Sequence, residues 1–407
     1  MRRVLPFVLV VLLTIGVAPV GVAAPTQRWV REIGSSLRSV AIARDGSVYA
    51  VGERPSSITR RAILVKLTPQ GEVRWTRSWL PDVEASTHGV AVDVMPDGRI
   101  VWVGRVQGQC EGGGWFLEIR GPAGKLLARY VTPGWQCSIA ESIRDVAVTD
   151  GMIVVAGYSH GCCGDIFQDG WVRAFDGRAR PRWRAPFEPP APTPRAWFDR
   201  ATGVAIGRQG TVYASGWAAT QAVQPGVTPA SVAGTVMLQK LTGTGRVLWS
   251  RRASVSMPSL DGDARVASRK NRVMVTAPVR GLGAAWSLGG RASDGWLGRF
   301  TPTGRFLWGR SWDTARPNAA EPADLSIDRN LVTWVTGTRR DAEDTSLRVL
   351  LVSFGGTGAL RSSQQMSAAG RWMFGTGVAA RNSTRVYVTG ASGTRSEMRV
   401  GLIWRMG

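Results

Sequence analysis

The side chains of this chain that could act on a ligand are aromatic and basic. Indole rings stack on the apolar faces of sugars, and guanidinium groups pair with carboxylate or phosphate. Such side chains and the two histidines fall in segments between the predicted strands. The candidate ligand-binding residues are Trp135, Trp197, Trp217, Trp286, Trp372, Arg195, Arg200, Arg291, His88 and His160. They favour recognition of glycans or anionic polymers, although the same tryptophans could instead fold back over the core.

One pentapeptide matches a hydrolase motif without the structure that the motif needs. Gly157-Tyr158-Ser159-His160-Gly161 reads Gly-x-Ser-x-Gly, in which the serine stands on a sharp turn between a strand and a helix. No helical pattern follows, because the chain continues as Cys162-Cys163-Gly164-Asp165. We therefore predict no catalytic residue and interpret Ser159 as a loop serine.

Metal-binding patterns are weak. Two histidines in the whole chain leave little for a histidine-rich centre. Asp261-Gly262-Asp263 and the segment Asp341 to Asp344 are acidic, but neither has the spacing of a calcium-binding EF-hand loop. We interpret both as solvated loops and predict no metal and no cofactor.

The first 24 residues have the layout of a secretory signal peptide. Arg2 and Arg3 precede an apolar run from Val4 to Val22, and small residues follow at Ala23 and Ala24. An uncleaved membrane anchor is the alternative, since the run is nearly long enough to cross a bilayer. With cleavage, the mature chain has no transmembrane segment and is expected to be secreted, periplasmic or at the cell surface.

The cysteines are interpreted in the light of this predicted export. The chain has four, at Cys110, Cys137, Cys162 and Cys163, and an even count in an exported protein predicts two disulfides. Because adjacent cysteines closing on each other would form a strained ring, we expect Cys162 and Cys163 each to reach Cys110 or Cys137. The connectivity is open. A zinc site that includes His160 is the alternative.

The composition describes a basic, well-packed protein. Hydrophobic residues make up 44% of the 407 residues, which excludes a chain that is disordered throughout. The formal net charge is +22, which attracts polyanions. Predicted export argues against a specific nucleic-acid partner, so we expect anionic cell-envelope components or glycans as partners of a monomer.

A repeated phrase organises the rest of the chain. It runs from an alanine-rich apolar stretch through a turn to a second apolar stretch, as in Ser39 to Gly52, and it predicts a β-hairpin. The seven copies close on Gly52, Gly104, Gly157, Gly216, Ala277, Gly337 and Gly390. Regular spacing of this kind is the signature of a repeat architecture.

A second hairpin follows each copy, and in three of them a glycine precedes a tryptophan by four residues: Gly71 and Trp75, Gly245 and Trp249, Gly304 and Trp308. Four strands in each of seven units predict an all-β, seven-bladed β-propeller of antiparallel blades. The blades are expected at about 37–80, 88–132, 141–188, 200–253, 262–312, 322–368 and 374–407. The last of these lacks an outer strand, which residues 25–33 would supply, so that 25–407 form one domain.

The repeat resembles that of secreted bacterial β-propeller proteins, whose units read approximately D-G-x-x-Y-V-x-G and then K-L-x-x-x-G-x-x-x-W. Val48 to Gly52, Val212 to Gly216 and Lys66-Leu67 carry the likeness, which implies export and a scaffold or binding role. A weaker resemblance is to the tryptophan-docking motif of pyrroloquinoline quinone enzymes, some of which carry an adjacent cysteine pair. It implies the alternative of a quinone- and calcium-dependent oxidoreductase. A polysaccharide-acting enzyme is a further alternative.

The predicted topology places all candidate residues on one face. In a propeller, the loops between second and third strands share a face with the links between blades, and the tight hairpin turns occupy the opposite face. We name these the loop face and the turn face. The long segments that hold the candidate tryptophans, arginines, histidines and cysteines belong to the loop face, where we expect any ligand to bind.

Overall fold

The computed structural model describes residues 26–34, 36–55, 59–81, 85–107, 113–132, 139–161, 168–189, 199–219, 234–257, 262–280, 293–312, 319–340, 346–367, 371–394 and 397–407. These residues form strands and a single short 3-10 turn at Arg208–Gly210. None of their helices has the length and apolarity to cross a bilayer.

The strands are numbered β1 to β28 in chain order. They are Gln27–Ile33, Ser36–Ile42, Val48–Pro55, Arg60–Leu67, Val73–Trp79, Ser86–Val94, Ile100–Gln107, Gly113–Arg120, Leu126–Val131, Ile139–Thr149, Met152–Gly161, Gln168–Phe175, Pro181–Pro186, Asp199–Ile206, Val212–Ala219, Gly234–Leu241, Val247–Met257, Arg265–Arg269, Arg272–Arg280, Ser293–Phe300, Phe306–Trp312, Ala319–Ile327, Thr333–Arg340, Leu347–Phe354, Leu360–Met366, Trp372–Asn382, Arg385–Thr394 and Glu397–Met406.

The strands form seven four-stranded antiparallel blades, which confirms the predicted seven-bladed β-propeller. Blades one to six are β2–β5, β6–β9, β10–β13, β14–β17, β18–β21 and β22–β25, and blade seven is β26–β28 with β1. The inner strands are β2, β6, β10, β14, β18, β22 and β26, which line a central channel. The strand farthest from the channel is the outer strand.

The N-terminal strand closes the ring, as the sequence predicts. β1 pairs antiparallel with β28, so that Val30 lies opposite Trp404 and Ile33 lies opposite Gly401. Beyond this ladder, the backbone N–H of Gly407 donates to the carbonyl of Thr26 at 2.9 Å. The edge of β28 that would otherwise be unpaired is therefore covered.

The hydrophobic core lies between neighbouring blades. The interface of blades four and five is an example, where Tyr213 and Trp217 pack with Val275 and Trp296. A single sheet cannot bury both of its faces, so each blade relies on the next one for burial. The core is consequently a ring of similar interfaces.

The glycine that closes the repeat is explained by a β-bulge in the inner strand. In blade one, pairing shifts between Leu37 and Ser39, so that Arg38 is an extra residue. A Cβ at Gly52 would collide with the carbonyl of Ser36 just before this bulge. In blade five the pairing of β18 with β19 starts at Arg265 and Thr276, so that Ala277, which replaces the glycine, has no partner in β18. The departure from the repeat therefore follows from a local change in strand pairing.

The repeated glycine and tryptophan of the second hairpin join one blade to the next. Trp249 in the outer strand of blade four lies over the turn of blade five, where a Cβ on Gly304 would come within 3.0 Å of its ring. Gly304 has a φ of +84°, which glycine adopts without strain. The same contact joins Trp29 to Gly71, Trp75 to Gly124, Trp183 to Gly245, and Trp308 to Gly358.

The two blades without the tryptophan are those whose next blade lacks the glycine. Ala128 occupies the tryptophan position in blade two, and the turn of blade three has Ala179 at a positive φ of 60° instead of glycine. Ser362 occupies it in blade six, and the corresponding strands of blade seven, β28 and β1, are the two ends of the described chain. The tryptophan and its glycine thus occur together or not at all.

We expect Trp249→Ala to lower the free energy of unfolding by about 2 kcal/mol, because it leaves a cavity at the joint of blades four and five. Urea denaturation measures this loss. Leu127→Ala, at an outer-strand residue that is 52% exposed, is the matched control and should change stability much less. Equal losses for the two variants would contradict a role for the indole in joining blades.

Candidate functional site

Charged side chains collect where the channel opens on the loop face. We name the group made of Arg38, Arg105, Arg144, Arg200, Arg265, Glu53 and Asp263 the mouth cluster. Burial opposes ionisation of Asp263, yet the charges of Arg144, Arg265, Arg200 and Arg38 lower the pKa of its carboxyl below the ordinary range. These arginines come from blades one, three, four and five, so the cluster surrounds the opening rather than one blade.

Two of these arginines are bulge residues. Arg38 is the extra residue of β2, and Arg144 is the extra residue of β10, between Ile143 and Asp145. A bulge turns a side chain away from the alternation of the strand and is often found next to binding sites. The backbone irregularity therefore places these two guanidinium groups at the mouth.

Arg265 spans part of the opening from blade five. Its Nη1 donates to the carbonyls of Arg144 at 2.8 Å and of Thr202 at 2.7 Å. Its Nη2 donates to Asp263 Oδ2 at 2.9 Å, and Asp145 Oδ2 in blade three is 4.0 Å from Nη1. One side chain thereby connects blades three, four and five.

Tyr158 is held between two of the arginines. Nη2 of Arg144 donates to its hydroxyl at 2.9 Å, and the guanidinium carbon of Arg200 lies 4.7 Å from the ring centroid. Burial would raise the pKa of the phenol, but the charges of Arg144 and Arg200 lower it below the ordinary value. The ring fixes both guanidinium groups in place.

Glu53 pairs with two arginines and a histidine on the blade-one side of the mouth. His88 Nδ1 contacts its carboxylate, Arg60 Nη1 lies 2.6 Å from Oε1, and Arg38 Nη2 lies 3.8 Å from Oε2. Burial disfavours the charged carboxylate, yet the hydrogen bond from His88 and the charges of Arg38 and Arg60 lower the pKa of Glu53 to about 2. Glu53 is consequently ionised at any physiological pH.

Arg105 is the cation of the cluster that has no carboxylate partner among the described residues. It is exposed on β7, opposite His88. Partial desolvation and the nearby charge of Arg144 lower the pKa of Arg105. Like charges held this close raise the energy of the site, and an anion bound between them would relieve the repulsion.

Three of the predicted ligand-binding residues lie at this mouth. Arg200 and His160 both contact Tyr158, the ring of His160 at a centroid distance of 5.9 Å. His88 contacts Glu53. The predicted residues Trp135, Trp197, Trp286, Arg195 and Arg291 lie outside the described residues, and so do Cys110, Cys137, Cys162 and Cys163.

The assignment of several residues to loops was wrong. His88 lies in β6, His160 in β11 and Arg200 in β14, and Trp372 begins β26. Trp217 lies in β15 with 0% of its surface exposed, packed against Gly234. It is a core residue of blade four and presents no face on which a sugar could stack.

The remaining motifs are also placed. Ser159 lies within the straight strand β11 and is buried, and Arg184 Nη2 donates to its Oγ at 3.2 Å. Because β11 continues to Gly161, Ser159 does not stand on a turn at the end of a strand, as the hydrolase motif requires. Of the acidic segments, Asp263 belongs to the mouth cluster, with 17% of its side chain exposed, instead of to a solvated loop. Asp261 and residues 341–344 lie outside the described residues.

Sequence reasoning missed Arg38, Arg105, Arg144 and Arg265 as parts of one site. Each bulge residue lies directly before the repeated phrase, as Arg38 lies before Ser39. It falls outside the alternation of inward- and outward-facing residues by which the sequence predicts a strand. Aligning the repeats on the bulge places Arg38 and Arg144 in a column with Val90, Thr202, Ala323 and Thr376. Two arginines at an alignment position where the other four residues are uncharged could have indicated this site.

Comparison with known proteins shows the fold alone. No family model matches the chain, and no curated protein matches it by sequence. A protein of unknown function from Dyadobacter fermentans is similar in structure, with a TM-score of 0.50 and 13% identity over 94% of this chain and 100% of that one. The β-propeller domain of the trilobed protease from Pyrococcus furiosus has a TM-score of 0.48 and 10% identity over 92% of this chain and 94% of that one. The chain has a β-propeller fold. These likenesses assign no activity.

We expect Glu53→Gln to lower the free energy of unfolding by about 2 kcal/mol at neutral pH, because it leaves Arg38, Arg60 and His88 without their carboxylate partner. Since the folded-state pKa is depressed from 4.5 to about 2, this stabilisation is present above pH 4.5 and is lost as the pH falls towards 2. Urea denaturation across this range should show wild type and variant converging in acid. Glu72→Gln, at a carboxylate that is 63% exposed, should show no such pattern, and a constant gap for Glu53→Gln would contradict the ion-pair account.

Proposed function

We propose that the protein is an exported, non-enzymatic binding or scaffold propeller that recognises anionic glycans or cell-envelope polymers at the mouth cluster. The observation that carries the proposal is the excess of arginine at the channel opening. Five guanidinium groups there face the carboxyl groups of Glu53, Asp263 and Asp145, and Arg105 forms no ion pair with a carboxylate among the described residues. A carboxylate, sulfate or phosphate group of a ligand would complete the charge balance.

The construction of the site supports binding. Arg144 is fixed by Tyr158, and Arg265 is fixed by Asp263 and two backbone carbonyls. Guanidinium groups held on strands lose little conformational entropy when an anion binds, so the affinity per contact is higher than for mobile side chains. The planar donors of arginine also favour bidentate contact with carboxylate or phosphate.

The recurrent glycine and tryptophan have a structural role here. Each indole packs against the turn glycine of the next blade, and Trp183 Nε1 donates to the carbonyl of Gly243 in that turn at 2.9 Å. These contacts account for the repeat as a joint between blades. The likeness to tryptophan-docking enzymes therefore supports a stable scaffold and adds nothing in favour of quinone chemistry.

The test is binding of the mature protein to an array of uronate-bearing, sulfated and phosphorylated oligosaccharides with their neutral counterparts. We expect only the acidic oligosaccharides to bind. Arg105→Ala should lower their affinity roughly tenfold or more, which is the loss expected when a hydrogen bond to a charged group is removed. Arg105→Lys keeps the charge without the planar fork and should retain part of the affinity.

The matched control is Arg74→Ala, which removes the same charge from an outer strand where Arg74 is 62% exposed and lies 3.5 Å from Glu72. It should bind as wild type does. An equal loss for Arg74→Ala would mean that only net charge matters, and equal binding of neutral and acidic sugars would remove the anionic class. The array should be repeated at about twice physiological salt. Salt screens non-specific attraction to the net charge, so binding that persists there is binding at the fixed site.

A further inference from the structure

A cavity occupies the channel on the side away from the mouth cluster. Its volume is about 540 Å³, within the range of small-molecule sites. The inner strands of the blades line it from the level of Ser39, Asp145 and Asp324 to their ends on the turn face. Arg265 Nη1 lies 4.0 Å from Asp145 Oδ2, so a side chain of the mouth cluster reaches one of the carboxyl groups that line this cavity.

Four arginines surround one side of the opening on the turn face. Arg44, Arg269, Arg329 and Arg381 line the cavity and come from blades one, five, six and seven, which are consecutive around the ring. We name them the arginine arc. Nη1 of Arg381 donates to the carbonyl of Arg44 at 2.9 Å, which holds two of the four together. Among the described residues no carboxylate forms an ion pair with any member of the arc.

Carboxyl groups line the deeper part of the same cavity. Asp93 and Asp145 stand in blades two and three, and Asp324 stands in blade six. Each carboxyl accepts a backbone N–H from its own strand and another from the next blade, as Asp145 does from Val146 and Val204 at 2.9 Å. Their positions are consequently fixed by the fold.

These carboxyl groups do not present three full charges. Burial raises the pKa of Asp93 and of Asp324 to about 7, and the neighbouring Asp145 contributes in the same direction. Arg265 acts in the opposite direction on Asp324. Near neutral pH the walls can therefore both accept and donate hydrogen bonds without strongly repelling an anion held at the arc.

We propose that this cavity is a second binding site, open on the turn face, for a small polyhydroxylated acid such as a sugar acid or sugar phosphate. The acid group pairs with the guanidinium groups of the arginine arc, and the hydroxyl groups reach the carboxyl groups of Asp93, Asp145 and Asp324. A simple inorganic anion would use only the arc. A neutral sugar would use only the walls.

The test is isothermal titration calorimetry of the mature protein with gluconate, glucose 6-phosphate, inorganic phosphate and glucose as separate probes. We expect gluconate or glucose 6-phosphate to bind at least tenfold more tightly than inorganic phosphate, and glucose not to bind measurably. Arg329→Ala and Arg44→Ala should each weaken the acid tenfold or more. Phosphate binding as tightly as both sugar acids would overturn the proposal, because the walls would then contribute nothing.

Two control variants separate this site from the surface charge and from the loop face. Arg208→Ala removes an exposed arginine of blade four on the turn face, outside the cavity lining, and should leave binding unchanged. Arg105→Ala should leave binding of the small acids unchanged, while Arg329→Ala should leave binding of the anionic polymers unchanged. Loss of small-acid binding in Arg105→Ala or Arg208→Ala to the same extent as in Arg329→Ala would overturn the cavity site without affecting the test of the mouth cluster.

Discussion

The inner strands impose the constraint on which the rest of this structure depends. Each has one edge paired in its own blade and the other facing the channel, where backbone N–H groups have no strand partner. A buried N–H without an acceptor costs free energy comparable to a lost hydrogen bond. Side chains of the preceding blade supply acceptors: Asp93 for Val148, Asp145 for Val204 and Asp324 for Val378, each at 2.9 Å. Polar residues are therefore needed along the axis, and the channel is polar because the backbone requires it.

The same requirement connects stability to the two candidate sites. Carboxyl groups placed to accept backbone N–H groups also line the cavity, and the bulges that crowd the closing glycines also turn Arg38 and Arg144 towards the loop face. Arg265 occupies the inner-strand position at which blades three and six have Asp145 and Asp324. A change of residue type at one repeated position thus replaces an acceptor of backbone N–H groups with a cation that connects three blades.

The sequence was sufficient for the architecture because turns and apolar alternation recur in every blade. Asp-Gly and Gly-x-x-x-Trp report local geometry in the blades that contain them, and a hairpin phrase repeated seven times determines a ring. The site was harder to predict, since it depends on residues from different blades that meet only once the ring has closed. Arg105 and Asp263 are far apart in the chain, and neither belongs to the repeated phrase. Trp217 was placed wrongly for a different reason. It follows the repeated phrase directly and was therefore assigned to a loop, whereas the strand continues for two residues beyond it.

The pairing of β1 with β28 has a consequence for how the ring closes. β1 precedes the other described strands of the propeller in the sequence, and its partner, Glu397–Met406, follows them. Bringing two such distant segments together carries a large loop-closure entropy, and contacts of this kind form slowly. Six blades can pair strands that are neighbours in the sequence, but blade seven is complete only when the two ends of the propeller have met. Until then, the folding protein exposes one unfinished sheet edge to its surroundings.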